Sequence, residues 1–576
     1  MAFWSKRVGG HVAALAVMAA LVAGCSQTRD GADSAARRSE EAPLAGRSAL
    51  SGYLAGRLAQ GTGDSRAAAD YYASALKYDP ENGELLQRTF SLMAAEGRMD
   101  VAAPLAERVL AFDSDSPLPL LVAGLSDAQA GRWIEAEGRF SQLPKRGVNS
   151  LLGPLMLAWT RAGQGRADAA DALIPLTQTK GLELLQAFHA ALIADLGGRS
   201  QIAEDGYRTA LSAQLSVRGI ESAGSWYQRN GRLAEAAALY TRYQTEHPDS
   251  MLFDGKRLLG QGGAIARTVP DARAGLAEAL FDIASLMRQG NATEMSMLYA
   301  RLALWMRPEL PLAQTTVADL LVAQNRLSEA NRHYLALDPA LPAHTYGRLR
   351  AAINQDEQGD TSGALDQLDR LAKDRPDSLE AMVTKGDILR RRKRFAEAAE
   401  AYTTAIGRAG PLEPHHWALL YSRAICLERS KQWPKAEADF LEALRLKPDQ
   451  ADVLNYLGYS WVDMGLHLEK ARKMLEKAVE LRPKDGAIID SMGWALYRLG
   501  DYHGAVRYLE RAAELKPEDP TINDHLGDAY WQVGRVEEAM FQWLRANALD
   551  PEPEQIEPLK VKIRTGQVPA KPLTHP

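Results

Sequence analysis

The run Gly124-Leu125-Ser126-Asp127-Ala128 has the outline of a nucleophile elbow with its last glycine replaced, the turn that lifts a serine hydroxyl for acyl transfer. That chemistry needs a sharp strand-to-helix turn, and this run sits inside a segment of helical apolar spacing, so it reads as structural. Gly260-Gln261-Gly262-Gly263 could cradle a phosphate, but no Gly-Lys-Ser/Thr follows it and no strand precedes it. His415 and His416 are candidate metal ligands, yet neighbours on a helix diverge by about 100°. No His-Glu-x-x-His pair accompanies them. Arg390, Arg391, Arg392, Lys393 and Arg394 form a basic run at a turn; a solvated turn is the default reading and a site for an anionic partner the alternative. Cys426 falls on a helical stripe as a small buried hydrophobe. No catalytic, cofactor-binding or metal site is assigned.

The elements that carry these residues are repeats. Ile489, Met492, Gly493, Leu496, Gly500, Tyr502, Ala505, Leu509, Ala512 and Pro517 recur 34 residues on as Leu526, Gly527, Tyr530, Gly534, Val536, Ala539, Trp543, Ala546 and Pro551, with Ile489 alone lacking a counterpart. An earlier copy from Ala451 gives Leu454, Leu457, Gly458, Trp461, Gly465, Ala471, Leu475, Ala478 and Pro483, with one extra residue near Leu466 and His467. Each unit thus holds two apolar stripes of helical period. Gly493 and Ala505 carry almost no side chain, so paired helices can approach closely there. Gly500 suits the left-handed end of the first helix, and Pro517 stops the second.

This pattern resembles the tetratricopeptide repeat in period and in its small and aromatic positions. The resemblance implies an all-α superhelical solenoid, and fainter copies extend it to about fourteen helix pairs. Clear or faint units start at Ala49, Gly83, Pro117, Val217, Ala277, Pro311, Thr345, Leu379 and Trp417, with two blurred pairs over 151–216. The glycines and Pro270 of 251–276 interrupt the period and predict a hinge. The expected division is a degenerate N-terminal array over 49–250, the hinge, a middle array over 277–412, a C-terminal array over 413–553, and a closing helix and tail over 554–576. A helix over 555–564 is expected to close the last face, and the stretch after Gly566 to be disordered. The repeats leave no block large enough for a catalytic domain.

Composition excludes little else. The formal charge of -5 gives no pull toward nucleic acid. With Cys25 and Cys426 the only cysteines, no disulfide framework exists. Lys6 and Arg7 precede the short apolar run 12–22, which predicts a secretory leader over 1–24. The run ends in Val22-Ala23-Gly24-Cys25, which resembles the lipobox of bacterial lipoproteins. That resemblance implies acylation of Cys25, a flexible tether over 25–48 and, with Ser26 following, the periplasmic face of the outer membrane.

In the family, certain first-helix positions face the groove that holds extended peptides or partner helices. Carried over, they are Asn455, Tyr459, Val462 and Asp463 in one unit, Asp490, Trp494, Tyr497 and Arg498 in the next, and Asp524, Asp528, Trp531 and Gln532 in the third. The aromatics would anchor an apolar segment. The carboxylates would repel a terminal carboxylate and favour basic residues, while Trp531 and Tyr459 could instead pack against a neighbouring repeat. The resemblance to large periplasmic lipoproteins with these repeats implies a non-catalytic adaptor whose partners are proteins or peptides, including a carboxy-terminal processing protease and its cell-wall hydrolase substrates. It implies no cofactor, no nucleic acid and no small-molecule substrate. Assembly of a secretin, pilus or polysaccharide exporter is the alternative, and a cell-wall-modifying enzyme a further one.

Overall fold

The computed structural model describes residues 48–568 apart from 180, 214, 248–249, 261–264 and 377. The leader, Cys25, nearly all of the tether, Gly262, Gly263 and the tail beyond 568 lie outside the described residues. Every regular element among the described residues is helical: thirty α-helices and two short 3-10 segments. None of the α-helices is long and apolar enough to cross a membrane.

Helix starts follow the repeat phase. Gly486–Arg498 begins at the cap Asp485, whose carboxylate accepts from the N–H groups of Ala487 and Ile488 at 3.1 and 3.4 Å. Pro520–Gln532 begins the same way, with Asp519 accepting from Thr521 and Ile522 and Pro520 supplying a fixed φ at its first turn. The first helix of each of these units ends at a residue in the left-handed region, Gly500 at φ 85° and Gly534 at φ 81°. In other units the same position holds Asn291, Asn325, Lys393 or Lys431. The partner helices Tyr502–Leu515 and Val536–Ala548 stop two or three residues before Pro517 and Pro551.

Close approach explains the small residues. A Cβ on Gly493 would fall 2.6 Å from Leu509 Cγ, and one on Gly527 2.5 Å from Trp543 Cδ1, well inside contact distance. Ala505, Leu509, Ala539 and Trp543 are wholly buried in the seam so formed.

The described chain divides into two compact units, one ending at Glu96 and the other beginning at Gly97. The first contains Ala49–Gly61, Ser65–Tyr78 and Gly83–Ala95, with Tyr72 buried among them. The second runs through all later helices to Pro553–Thr565.

On either side of 261–264 within the expected hinge, described residues are packed. Phe253 is buried edge-on against Tyr240 and Tyr243, with ring centroids 5.4 and 4.8 Å away, and Val269 is buried. The next helix starts at Ala272, five residues before the expected unit, because the Asp271 carboxylate caps it by accepting from the Ala274 N–H at 2.7 Å. Phe253 and Val269 are thus apolar anchors on either side of residues 261–264.

Candidate functional site

The predicted strip lies on three successive first helices, Ala451–Met464, Gly486–Arg498 and Pro520–Gln532, with Pro553–Thr565 beyond them. The structure places its carboxylates in internal pairs. Asp490 is buried and accepts from His525 Nδ1 at 3.0 Å. His525 is buried too; burial alone would lower its pKa, but the Asp490 carboxylate outweighs this and holds the imidazole above its ordinary value. The Trp494 ring lies flat on His525 at 4.0 Å between centroids, and Tyr497 stacks on Trp494 at 4.8 Å.

Asp524 and Asp528 share one cation. Lys562 Nζ, on the closing helix, donates to Asp524 at 2.7 Å and to Asp528 at 2.8 Å, and Trp543 Nε1 donates to Asp528 at 2.9 Å. Burial raises the Asp528 carboxyl above the usual carboxylate range, and Lys562 only partly opposes it. Burial works against the ammonium of Lys562, but the two carboxylates overcome that and raise its pKa. The expectation that Asp490, Asp524 and Asp528 stand free to attract a basic partner is therefore corrected: each is satisfied by the unit that follows it.

The remaining predicted residues divide. Arg498 donates to the Asp463 carboxylate at 3.1 Å and to the Asp463 carbonyl at 3.2 Å. Gln532 donates to the Tyr497 hydroxyl at 3.3 Å, and Trp531 Nε1 donates to the Gly566 carbonyl at 3.0 Å, so this ring packs within the fold. Val462 is wholly buried. Tyr459 is partly buried, and desolvation, with the Asp463 and Asp490 charges, raises its phenol. Two polar atoms of the strip are buried without a hydrogen-bond partner: Asn455 Oδ1, an acceptor, and Trp494 Nε1, a donor. They lie on consecutive first helices, the former on the same helix as Tyr459.

The other candidate chemistries are absorbed by structure. Ser126 lies inside the helix Pro117–Gln129, and Asp127 beside it accepts from Arg132 and Arg139 at 2.6 and 2.8 Å. The basic run meets acids: Arg392 bonds Asp356 at 2.8 Å, Arg394 bonds Glu397 at 2.7 and 2.6 Å, and Lys393 reaches Glu552 at 3.4 Å. His416 Nδ1 accepts from the Glu413 N–H at 2.9 Å. Cys426 is buried, and desolvation pushes its thiol up to about 12, far from a reactive thiolate.

Sequence reasoning missed His525 and Lys562. The signal existed, since Lys562 stands one period after Asp528 and so occupies the same place in the closing helix.

A tetratricopeptide-repeat family model matches residues 53–117, 349–414, 394–451 and 491–552, and a second matches 222–250. A TPR repeat-containing protein of Pseudomonas aeruginosa is 30% identical over 151 residues, which cover 26% of this chain and 25% of that protein. A probable UDP-N-acetylglucosamine–peptide N-acetylglucosaminyltransferase of Hordeum vulgare, SPINDLY, is 31% identical over 115 residues, or 20% of this chain and 12% of that protein. The chain thus spans a quarter or less of the length of these relatives. Among solved structures, yeast Tom70 is similar with 15% identity and a TM-score of 0.31, over 90% of this chain and 95% of that chain. The segments matched by the two family models fall on helix pairs of the observed period, turn and seam, and are tetratricopeptide repeats.

Proposed function

We propose that this chain is a non-catalytic scaffold that binds a protein or peptide partner on the first-helix face around Asn455, Tyr459 and Trp494. One observation carries the reading: this face keeps a buried acceptor and a buried donor unpaired beside a partly buried phenol ring. A buried polar atom without a partner costs roughly 1–3 kcal/mol, so a ligand whose docking turns these side chains far enough to reach an unpaired atom recovers part of that cost. An extended backbone offers both complements, a carbonyl for the indole N–H and an N–H for the amide oxygen. Repeats of this family generally mediate protein binding, which agrees with that reading.

The anchoring reading is part of the proposal. Acylation at Cys25 would hold the scaffold on the periplasmic face of the outer membrane, where a carboxy-terminal processing protease and its cell-wall hydrolase substrates are the partners it would bring together. A photo-crosslinking amino acid placed at Tyr459 or Trp494 in intact envelopes tests the surface against the same probe at the exposed Leu481. Adducts from the first two positions and none from Leu481 support it. Equal labelling at all three, or none at any, overturns it.

A further inference from the structure

A second first-helix face, formed by Asn149–Gly163, Glu183–Leu196 and Val217–Arg229, is covered by the chain itself. Residues 266–268 lie along Val217–Arg229 without helical structure. Ser225 Oγ donates to the Ala266 carbonyl at 2.8 Å, the Ser222 and Thr268 hydroxyls are 2.7 Å apart, and Arg267 Nε donates to Asp195 at 3.3 Å. The helix Ala272–Gln289 follows, reaches all three first helices through Gly275, Glu278 and Asp282, and packs along Thr293–Met306.

Gly275 abuts the Trp159 ring so closely that a Cβ there would overlap it. Glu278, three residues on, is wholly buried and accepts from Arg218 Nε and Nη2 at 2.8 and 2.7 Å. Asp282, a turn later, lies 3.1 Å from His189 Nε2. The direction of that last bond is fixed by chemistry: Trp159 Nε1 lies 3.0 Å from His189 Nδ1 and an indole N–H can only donate. Nδ1 therefore accepts, and Nε2 carries the proton that Asp282 receives. A side-chain hydroxyl on a backbone carbonyl, an aromatic wall against a glycine, and a guanidinium and an imidazole on two carboxylates form a set of contacts suited to recognising a peptide.

We infer that this face is a recognition surface for an acidic helix, filled in cis by the chain's own segment, and that a partner helix with a small residue followed by carboxylates three and seven residues later takes the same seat. The inference does not depend on the Asn455–Trp494 surface.

Competition in the full chain tests it. The double variant Glu278→Arg, Asp282→Arg repels the tethered segment while leaving Trp159, His189 and Arg218 intact. A fluorescent peptide of residues 265–289 should show no saturable binding to the wild-type chain, because a tethered competitor acts at an effective concentration in the millimolar range. It should bind the double variant, and Arg218→Glu added to that variant should weaken binding at least tenfold. A double variant with wild-type circular dichroism that does not bind the peptide overturns the inference. Hydrogen exchange provides a second readout that does not require the double variant to fold. Arg218→Glu and Glu278→Arg alone should each speed exchange in 266–289 and not in Leu233–Glu246, and the two together should restore the wild-type rate. Exchange that rises equally through 149–246 would mean the segment is an inseparable part of the array and not its ligand.

Discussion

Lys562 stands 34 residues after Asp528, one repeat period, and its ammonium donates to that carboxylate at 2.8 Å while also holding Asp524 at 2.7 Å. The closing helix therefore does more than cover an apolar face: it supplies the counter-charge that two acids of the last repeat require once buried. Removing one member of such a group strands the others.

Lys562→Met is accordingly expected to destabilise the last repeat by about 3–5 kcal/mol. Adding Asp524→Leu and Asp528→Leu should recover only part of that loss: no unpaired charge then remains, but the buried Trp543 Nε1 loses its acceptor. Urea unfolding followed by the fluorescence of the buried Trp543 measures both steps.

The same corner should respond to pH. The His525 pKa is raised in the fold, so its contribution is complete below the ordinary value of about 6.5 and is lost as pH rises through the folded value. The Asp528 pKa is raised as well, so its ionised form is disfavoured in the fold and stability again falls as pH rises through it. The Asp528 change runs from the ordinary carboxylate value to about 6 and is largely spent there, so His525 sets the expectation above it: the last repeat should melt at a higher temperature at pH 6 than at pH 8. His525→Asn should flatten that profile, and an unchanged slope in the variant would leave the imidazole out of the effect.

Much of this architecture is legible in the sequence, for identifiable reasons. Gly493, Gly527, Ala505 and Ala539 mark the helix seam because nothing larger fits, and Gly500 and Gly534 mark the turn because their φ is positive. The pairing of Asp490, Asp524 and Asp528 was not legible from their own units, since each partner, His525 or Lys562, belongs to the next one. The helix start at Ala272, five residues before the expected unit, had its own signal in Pro270 and Asp271, which the glycines before them outweighed. The face of Trp159, His189 and Arg218 lay in units blurred or plain, and its occupant comes from beyond the break in period.

Turn and seam make opposite predictions for glycine. Lys431 holds φ 63° at the position where other units place glycine. Lys431→Gly relieves a left-handed conformation worth roughly 1–2 kcal/mol, offset by glycine's entropy of roughly 0.5–1 kcal/mol, so a small gain in thermal stability is expected. Gly493→Leu drives a side chain into Leu509 and should cost about 1–3 kcal/mol or more. Differential scanning calorimetry of the two variants should move in opposite directions.

The anchor proposed at Cys25 predicts a clean separation of attachment from fold. Cys25→Ser should abolish flotation with outer membranes while the helical circular dichroism is retained, since membrane affinity would come from the acyl chains. A variant that still floats after a high-salt wash would remove lipidation from the proposal.

Partner binding at the C-terminal face is best probed through Trp494, because its ring and its N–H can be separated. Trp494→Ala removes both, including the stack on His525 at 4.0 Å, and should weaken the crosslinked partner by roughly 2–4 kcal/mol. Trp494→Phe keeps an aromatic ring for His525 and removes the unpaired Nε1 donor together with part of the indole surface. If a partner carbonyl accepts from that N–H, Trp494→Phe should still weaken binding, by about 1 kcal/mol. Asp528→Lys is not an equivalent test, because Asp528 is buried under Lys562 and Trp543 and its loss would act through the fold. Titration of the purified partner against the two Trp494 variants, with melting temperatures alongside, resolves the roles. A partner that binds Trp494→Ala as tightly as wild type would move recognition away from this face.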